Sequence, residues 1–577
     1  MRILLLTHSF NSLTQRLYDE LASQGHTLSV EFDINDRVAE EAVAAFGPDV
    51  VLAPFLKRAI PAGIWQRHLC LIVHPGVPGD RGPSALDWAI HRGEAEWGVT
   101  VLQAEAEMDA GPIWAAARFP MRPATKASLY RNEVTEAAVR AVLAALAQVP
   151  DWRAGHWQPT PLAEASCCGT FHPLMRQADR ALDWTRDDTA TLLARIRAAD
   201  GFPGVASELF GQPCRLFDAH PHPPVAGARP GEVVARRDGA LLRATVDGAL
   251  WIGHVRRDDA PVPVKLPATT AFAGEAAALP EWAASLQDRP EAEWAELRYR
   301  EEGAVGYLSF EFYNGAMSTA QCRRLRLALE FARSRPTRVL VLTGGADFWS
   351  NGIHLNTIEA AASPADESWA NINAMNDVCL ALLQMTDRLT VAALRGNAGA
   401  GGCFLALAAD AVWARAGVIL NPHYKNMGNL YGSEYWTYLL PRRVGRETGA
   451  RILGDRLPLG AGRAQALGLL DAVFGHDRAA FEAELARRAQ ALATAPDYAG
   501  RVAAKAATRA ADEAARPLAA YREEELAMMR RNFYGFDPSY HVARYHFVFK
   551  TPHSWTPRHL ARHRDLGWVA PAIGSPA

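Results

Sequence analysis

Leu69-Cys70-Leu71-Ile72-Val73-His74-Pro75-Gly76-Val77-Pro78-Gly79-Asp80-Arg81-Gly82 passes from five apolar residues to a histidine and then into a loop dense in proline and glycine. A short, continuous apolar run ended by Pro and Gly reads as a strand buried on both faces. Upstream, residues 3–7, 28–32 and 49–53 are three more apolar runs, separated by helical patterns over 13–24 and 38–46. Strands alternating with helices predict an α/β domain built on a doubly wound sheet. Ligands of such sheets bind beyond the carboxyl ends of the strands, where His74 falls.

The rest of the 577 residues divides into further blocks, as expected for a chain too long for one core. Residues 1–155 hold the first sheet. Residues 156–275 carry a helix near 194–199 and then strands, with Asp238-Gly239 and Asp247-Gly248 as hairpin turn signals, and predict a small β-barrel-like domain. A Pro- and Ala-rich stretch, 276–293, reads as a linker. From 294 to 577 strand and helix alternate again (strands 305–310 and 339–343, helix 320–333) before a helical, Ala/Arg-rich extension. The aromatics Phe533, Tyr534, Phe536, Tyr540, Tyr545, Phe547 and Phe549 are expected to pack that extension onto the core.

Composition narrows the function. The formal charge is −2, with 61 Lys+Arg against 63 Asp+Glu, so no basic excess points to nucleic acid. No apolar run is long enough for a membrane span, and the N-terminal one stops at Thr7-His8, short of a signal peptide. Seven cysteines without a Cys-x-x-Cys pair predict neither a disulfide framework nor a thiolate metal site, and suggest a reducing cytoplasm. No metal is expected.

Three stretches of the first block resemble the folate-dependent formyltransferases. They are His74 to Gly82, Gly98-Val99-Thr100-Val101 followed by Met108-Asp109-Ala110-Gly111-Pro112-Ile113, and Leu52-Ala53-Pro54-Phe55-Leu56-Lys57. The resemblance implies 10-formyl-tetrahydrofolate as substrate, His74 and Asp109 as catalytic residues, and a folate site drawn from Phe55, Leu56, Lys57, Gly76 and Arg81. Formyl transfer passes through a tetrahedral oxyanion, which a histidine oriented by a carboxylate can stabilise or serve with a proton. The family's asparagine two residues before the histidine is Ile72 here. Ser9, Asn11 and Arg131 are acceptor-side candidates; helix capping explains Ser9 and Asn11 almost as well, and a solvated helix start is the plainer reading of Arg131. Residues 196–205 are similar to the opening of the formyltransferase C-terminal domain.

Leu340 to Ile353 and Arg395-Gly396-Asn397-Ala398-Gly399-Ala400-Gly401-Gly402-Cys403 resemble the two oxyanion segments of the enoyl-CoA hydratase/isomerase (crotonase) family. The resemblance implies a CoA thioester whose carbonyl oxygen meets the amides of Ile353 and Gly401, with Asn351, Ile353, Leu355 and Gly401 in contact with coenzyme A. Glycines suit a site where backbone N–H groups must approach a ligand. The two hydratase glutamates align with Phe404 and His423, so hydration is not expected. Tyr424 and Glu434 take their place as catalytic candidates. The plainer readings are a half-buried aromatic and a helix-start carboxylate.

Both halves together resemble the HypX (HoxX) family of hydrogenase maturation factors. That likeness implies CO synthesis for NiFe hydrogenase: formyl transfer to CoA, then loss of CO from formyl-CoA. The partners implied are small molecules and the hydrogenase maturation machinery. Two other readings stay open, a hydrolase of formyl-folate or formyl-CoA and a catalytically silent crotonase half that binds CoA or serves assembly.

Overall fold

The computed structural model describes residues 1–569 apart from 167, 284, 288–292 and 566, so Cys167 and part of the expected linker lie outside the described residues. The chain divides into two compact units. One comprises Met1–Val233, Arg243–Ile252 and Pro552–Ala577; the other comprises Val234–Leu242 and Gly253–Thr551.

The first unit is built on β1 (Arg2–Thr7), β2 (Thr27–Phe32), β3 (Val50–Phe55), β4 (Cys70–His74), β5 (Glu96–Gln103) and β6 (Ile113–Pro120), in the order β2-β1-β3-β4-β5-β6. The pairs β1/β2, β1/β3 and β3/β4 are parallel, as the alternation predicts. The sheet then continues into an antiparallel β5–β6 hairpin. Asn11 and Asn35 cap the helices Ser12–Ser23 and Asp36–Phe46 by accepting from the backbone N–H three residues on. The edge strand β2 is covered by the chain's own tail: Leu560 C=O accepts from Val30 N–H at 3.0 Å, and Thr556 Oγ1 from Phe32 N–H at 2.8 Å.

Six strands follow: β7 (Val205–Leu209), β8 (Gln212–His222), β9 (Val233–Arg237), β10 (Ala240–Ala244), β11 (Ala249–Arg257) and β12 (Lys265–Pro267). They pair as β7-β8-β11-β10-β9, with β12 on β11. The turn signals hold. Asp238 and Gly239 take φ 48° and 89°, the pair of left-handed residues a two-residue hairpin needs. The expected barrel does not form. Among the described residues the order is open, with β7 and β9 at its ends, because hairpins specify neighbours and not closure.

The second unit contains a sheet ordered β13 (Leu297–Glu302), β14 (Val305–Phe310), β15 (Val339–Thr343), β17 (Leu389–Leu394), β19 (Ala411–Arg415) and β22 (Ala472–Phe474). Beside it lies a smaller one: β16 (Phe348–Ser350), β18 (Asn397–Gly399), β20 (Ile419–Asn421) and β21 (Leu459–Gly460). The helix Thr319–Ser334 opens on a capping box in which Ser318 and Gln321 satisfy each other's backbone N–H. The main core runs from Leu308, Phe310 and Trp349 through Phe404 and Leu405 to Met529, Phe533 and Tyr540. Of the seven C-terminal aromatics, Phe533 and Tyr540 are buried there, whereas Tyr534, Phe536, Tyr545 and Phe547 are exposed. The helix Ser539–Phe549 turns only one stripe inward.

Candidate active site

β4 delivers His74 to the sheet's carboxyl edge, and the β5–β6 connection delivers Asp109 to meet it. His74 Nδ1 lies 3.5 Å from Asp109 Oδ1. The other ring nitrogen, Nε2, lies 2.8 Å from Asp80 Oδ2, so the ring stands between two carboxylates. The loop is fixed from β5, where Thr100 Oγ1 donates to Gly76 C=O at 2.8 Å and Trp97 Nε1 to Pro75 C=O at 2.9 Å. Gly76 has no room for a side chain, since a Cβ would sit 2.5 Å from both His74 Nε2 and Asp80 Oδ2. Asp109 is left-handed, φ 56°, and accepts from Gly82 N–H at 3.3 Å. Asp80, quoted in the motif but given no role there, is the residue that sequence reasoning missed. His74 and Asp80 are buried. With Nε2 held by Asp80, Nδ1 is the atom on the Asp109 side.

The remaining first-block candidates are distributed around this edge. Phe55 C=O accepts from His8 N–H at 2.7 Å, and its ring meets His8 and Tyr130 edge-on. Leu56 packs into the core beneath, and Lys57 Nζ stands 6.0 Å over the Phe202 ring. Arg81 pairs with Glu107 at 2.6 Å. Asn11 caps its helix and places Nδ2 3.5 Å from Tyr130 Oη, while Ser9 offers its C=O to Thr7 and Thr14. The capping reading of Asn11 is thus realised. Arg131 lies in the π-helical turn Tyr130–Val134.

In the second unit the parallel pairing of β16 with β18 sets two bends side by side. One is Asn351-Gly352-Ile353 and the other Ala400-Gly401. A Cβ on Gly352, φ 79°, would lie 3.3 Å from Gly401 N, which shows how closely the two amide-bearing segments approach. Trp349 Nε1 donates to Gly402 C=O at 2.9 Å and locks them together. Asn351 Nδ2 donates to Asn314 C=O at 2.8 Å, and Leu355 begins the helix Leu355–Ala360. Gly401 opens the helix Gly401–Leu407. A Cβ at 401 would run into the carboxyl group of Glu434. Glu434 is therefore the acid that faces this bend.

Tyr424 Oη lies 2.6 Å from Glu434 Oε2 and 2.9 Å from Ser433 C=O. Its ring stacks on Phe404 at 5.3 Å, so the aromatic at the hydratase glutamate's position supports the tyrosine. Gly432 leaves space that a Cβ would take from the Tyr424 ring. Burial pushes the Glu434 carboxyl up to about 8; the Tyr424 hydrogen bond opposes this and the charge of Glu525 adds to it. Burial, with Glu434 beside it, also pushes the Tyr424 phenol well above its ordinary range.

Two residues with no place in the sequence reading complete this site. Asn376 Oδ1 accepts from Glu434 N–H at 2.8 Å and from Ser433 Oγ at 2.9 Å. Glu525, in the helix Leu518–Tyr534, accepts from Tyr435 N–H and Thr437 N–H, each at 2.9 Å. A signal for Glu525 exists: it stands on the helix stripe of Leu518, Met529 and Phe533, where an apolar residue belongs. His423 is buried just beyond β20, and Lys425 is exposed.

Sequence comparison agrees with both halves. Residues 14–146 match the family model described as formyl transferase, 174–265 the formyl transferase C-terminal domain, and 307–557 enoyl-CoA hydratase/isomerase. The chain is 57% identical over 564 residues to the hydrogenase maturation factor HoxX of Bradyrhizobium diazoefficiens, covering 98% of this chain and 97% of that protein. The chain belongs to the HypX (HoxX) family of hydrogenase maturation factors. A crystal structure of HypX from Aquifex aeolicus in complex with tetrahydrofolic acid superposes with a TM-score of 0.94 at 47% identity, covering 99% of this chain and all of that one. A methionyl-tRNA formyltransferase of Sorangium cellulosum is 29% identical over 215 residues, 36% of this chain and 67% of its own. The HypX family thus joins a formyltransferase part to a crotonase part, as the two motif sets predict. Among the described residues no helix is long and apolar enough to cross a membrane, and no cluster of side chains suits a metal.

Proposed function

We propose that this member of the HypX family makes carbon monoxide from 10-formyl-tetrahydrofolate, using coenzyme A as the carrier, for the active-site iron of NiFe hydrogenase. At the first site the CoA thiol attacks the formyl carbon. The C–N bond to the folate breaks, the folate nitrogen takes up a proton, and formyl-CoA forms. His74, held by Asp80 and facing Asp109, serves the oxyanion and that proton. At the second site the thioester oxygen of formyl-CoA meets the amides of Ile353 and Gly401. The C–S bond breaks, the formyl carbon loses its proton, and sulfur gains one, releasing CO and free CoA. Tyr424 and Glu434 are the groups on hand to give and take these protons. The folate site is assigned to Phe55, Leu56, Lys57, Gly76 and Arg81, the acceptor side to Ser9, Asn11 and Arg131, and CoA contacts to Asn351 and Leu355 besides the two amides.

The observation that carries this reading is the Tyr424–Glu434 pair aimed at Gly401, where the family's hydration glutamates are absent. A buried acid at a thioester bend, with Phe404 and His423 in the hydratase positions, suits proton movement without an added water. Purified protein supplied with 10-formyl-tetrahydrofolate and CoA should release CO in step with tetrahydrofolate, read from the haemoglobin spectrum. Formate as the sole one-carbon product would replace this reading with a hydrolase.

A further inference from the structure

Glu434 and Tyr435 are consecutive non-glycine residues in the left-handed region, with φ 60° and 59°. Such a pair persists only where its surroundings impose it. Two side chains from outside the turn do so. Asn376, on the helix Pro364–Leu383, takes Glu434 N–H and Ser433 Oγ. Glu525, on the helix Leu518–Tyr534, takes the next donors, Tyr435 N–H at 2.9 Å, Thr437 N–H at 2.9 Å and Thr437 Oγ1 at 2.6 Å, and lies 3.3 Å from Ser433 Oγ. Glu525 is fully buried, although it comes from the helical extension that follows the crotonase motifs.

We propose that Glu525 is a positioning residue for CO release, holding the Ser433–Thr437 turn in the one conformation that turns the Glu434 carboxyl toward Gly401. This rests on the reading of Tyr424 and Glu434 as the proton-moving pair. Burial pushes the Glu525 carboxyl up to about 7, against the hydrogen bonds from Thr437, Tyr435 and Ser433, which favour its charged form. Glu434 is the second carboxyl of the cluster, and two neighbouring carboxyls resist being ionised together. The pair therefore divides its roles: Glu525, pushed up to about 7, is the first to ionise, and Glu434, pushed up to about 8, keeps the proton that can move. The other titratable groups around Glu434 are the Tyr424 phenol and the thiols of Cys322 and Cys379, all pushed up by burial and by Glu434's own charge. Arg522, next to Tyr435, is committed to Asp377 at 2.7 Å.

Capping of the helix Trp436–Val444 is the purely structural alternative, and it makes a different prediction. Glu525→Gln keeps the side chain's size and removes its charge. With formyl-CoA as the probe, the variant should lose roughly tenfold or more in kcat with little change in KM, because the displaced group acts in the reaction and not in holding substrate. The limb of the pH–rate profile that reports Glu434 should move to lower pH by about one unit, whichever protonation state the step uses. Glu525→Asp, which retains the charge, should restore the position of that limb. A Glu525→Gln protein with wild-type kcat and an unmoved limb overturns the assignment, as does one that is destabilised with its pH limb in place. If Glu525→Gln fails to fold, Thr437→Val removes one donor to Glu525 and leaves its charge. A several-fold lower kcat at constant KM then supports the role, and an unchanged kcat overturns it. Wild-type protein that releases no CO from formyl-CoA refutes the underlying function. Wild type that does, beside an unaltered Glu525→Gln, refutes only the part given to Glu525.

Discussion

Glu434 is a carboxyl group placed where water does not reach it, and its proton is correspondingly hard to remove. Its folded pKa of about 8 stands above the ordinary value of 4.5. A raised folded pKa means that stability is fully present below pH 4.5 and declines as the unfolded chain alone ionises, until the folded group also ionises near pH 8. Glu434→Gln, which cannot ionise, should escape that decline. Its denaturation midpoint relative to wild type should therefore rise between pH 5 and pH 8, measured by urea unfolding at each pH. An advantage that is constant with pH would show that Glu434 is not the buried neutral acid described here. Among single residues, Gly401 and Gly432 act by omission, leaving the space that Glu434 and Tyr424 fill.

At the scale of elements, β2 shows how a distant segment completes a sheet. Glu31 on β2 is fully buried and takes hydrogen bonds from His563 Nε2 at 2.9 Å, Arg564 Nε at 2.6 Å and Thr556 Oγ1, all from the tail. Burial pushes its carboxyl up, but those three partners and the charge of Arg564 outweigh it and hold it below the ordinary 4.5. A depressed carboxyl contributes stability that is present above that pH and lost as the pH falls through the folded pKa. Removing one partner from a buried charged cluster costs about 3–5 kcal/mol. Glu31→Gln should therefore lower the unfolding midpoint at pH 7 and flatten its fall on acidification. A variant as stable as wild type at pH 7 would mean that the tail is held by its backbone contacts and by packing of the kind seen between Trp568 and Phe46. The uncovered edge of β2 would be a site for unwanted strand pairing, a reason for the tail to lie there.

For the whole molecule, the proposed relay predicts two separable defects. His74→Ala should stop CO formation from 10-formyl-tetrahydrofolate yet leave CO release from supplied formyl-CoA at the wild-type rate. Glu434→Gln should do the reverse, with formyl-CoA accumulating and CO output down by on the order of a hundredfold. Mixing the two proteins with formyl-folate and CoA should then restore CO, because CoA is a diffusible carrier. Chromatography of the CoA pool and the haemoglobin spectrum read the two products. Equal loss of both steps in either variant would mean that the halves do not work in sequence.

The amino-acid sequence by itself determined what local spacing can encode. The strand that ends on His74, the turn residues Asp238-Gly239 and the two glycine bends are each read within a few residues, and each reappears in the structure as expected. Tertiary structure alone decided which polar groups are buried and against what. Glu525 shares the stripe of Leu518, Met529 and Phe533, but the packing of its helix decided that it, unlike Glu523 and Glu524, is buried and which donors it meets. Glu31 is tied to His563 across more than five hundred residues, and Tyr545 stays in solvent although its composition suggested a core residue. The open order of β7 to β12 likewise follows from pairings that no hairpin specifies. Burial is a property of the partners a side chain meets, and contacts of long sequence separation leave no mark at either end of the chain that makes them.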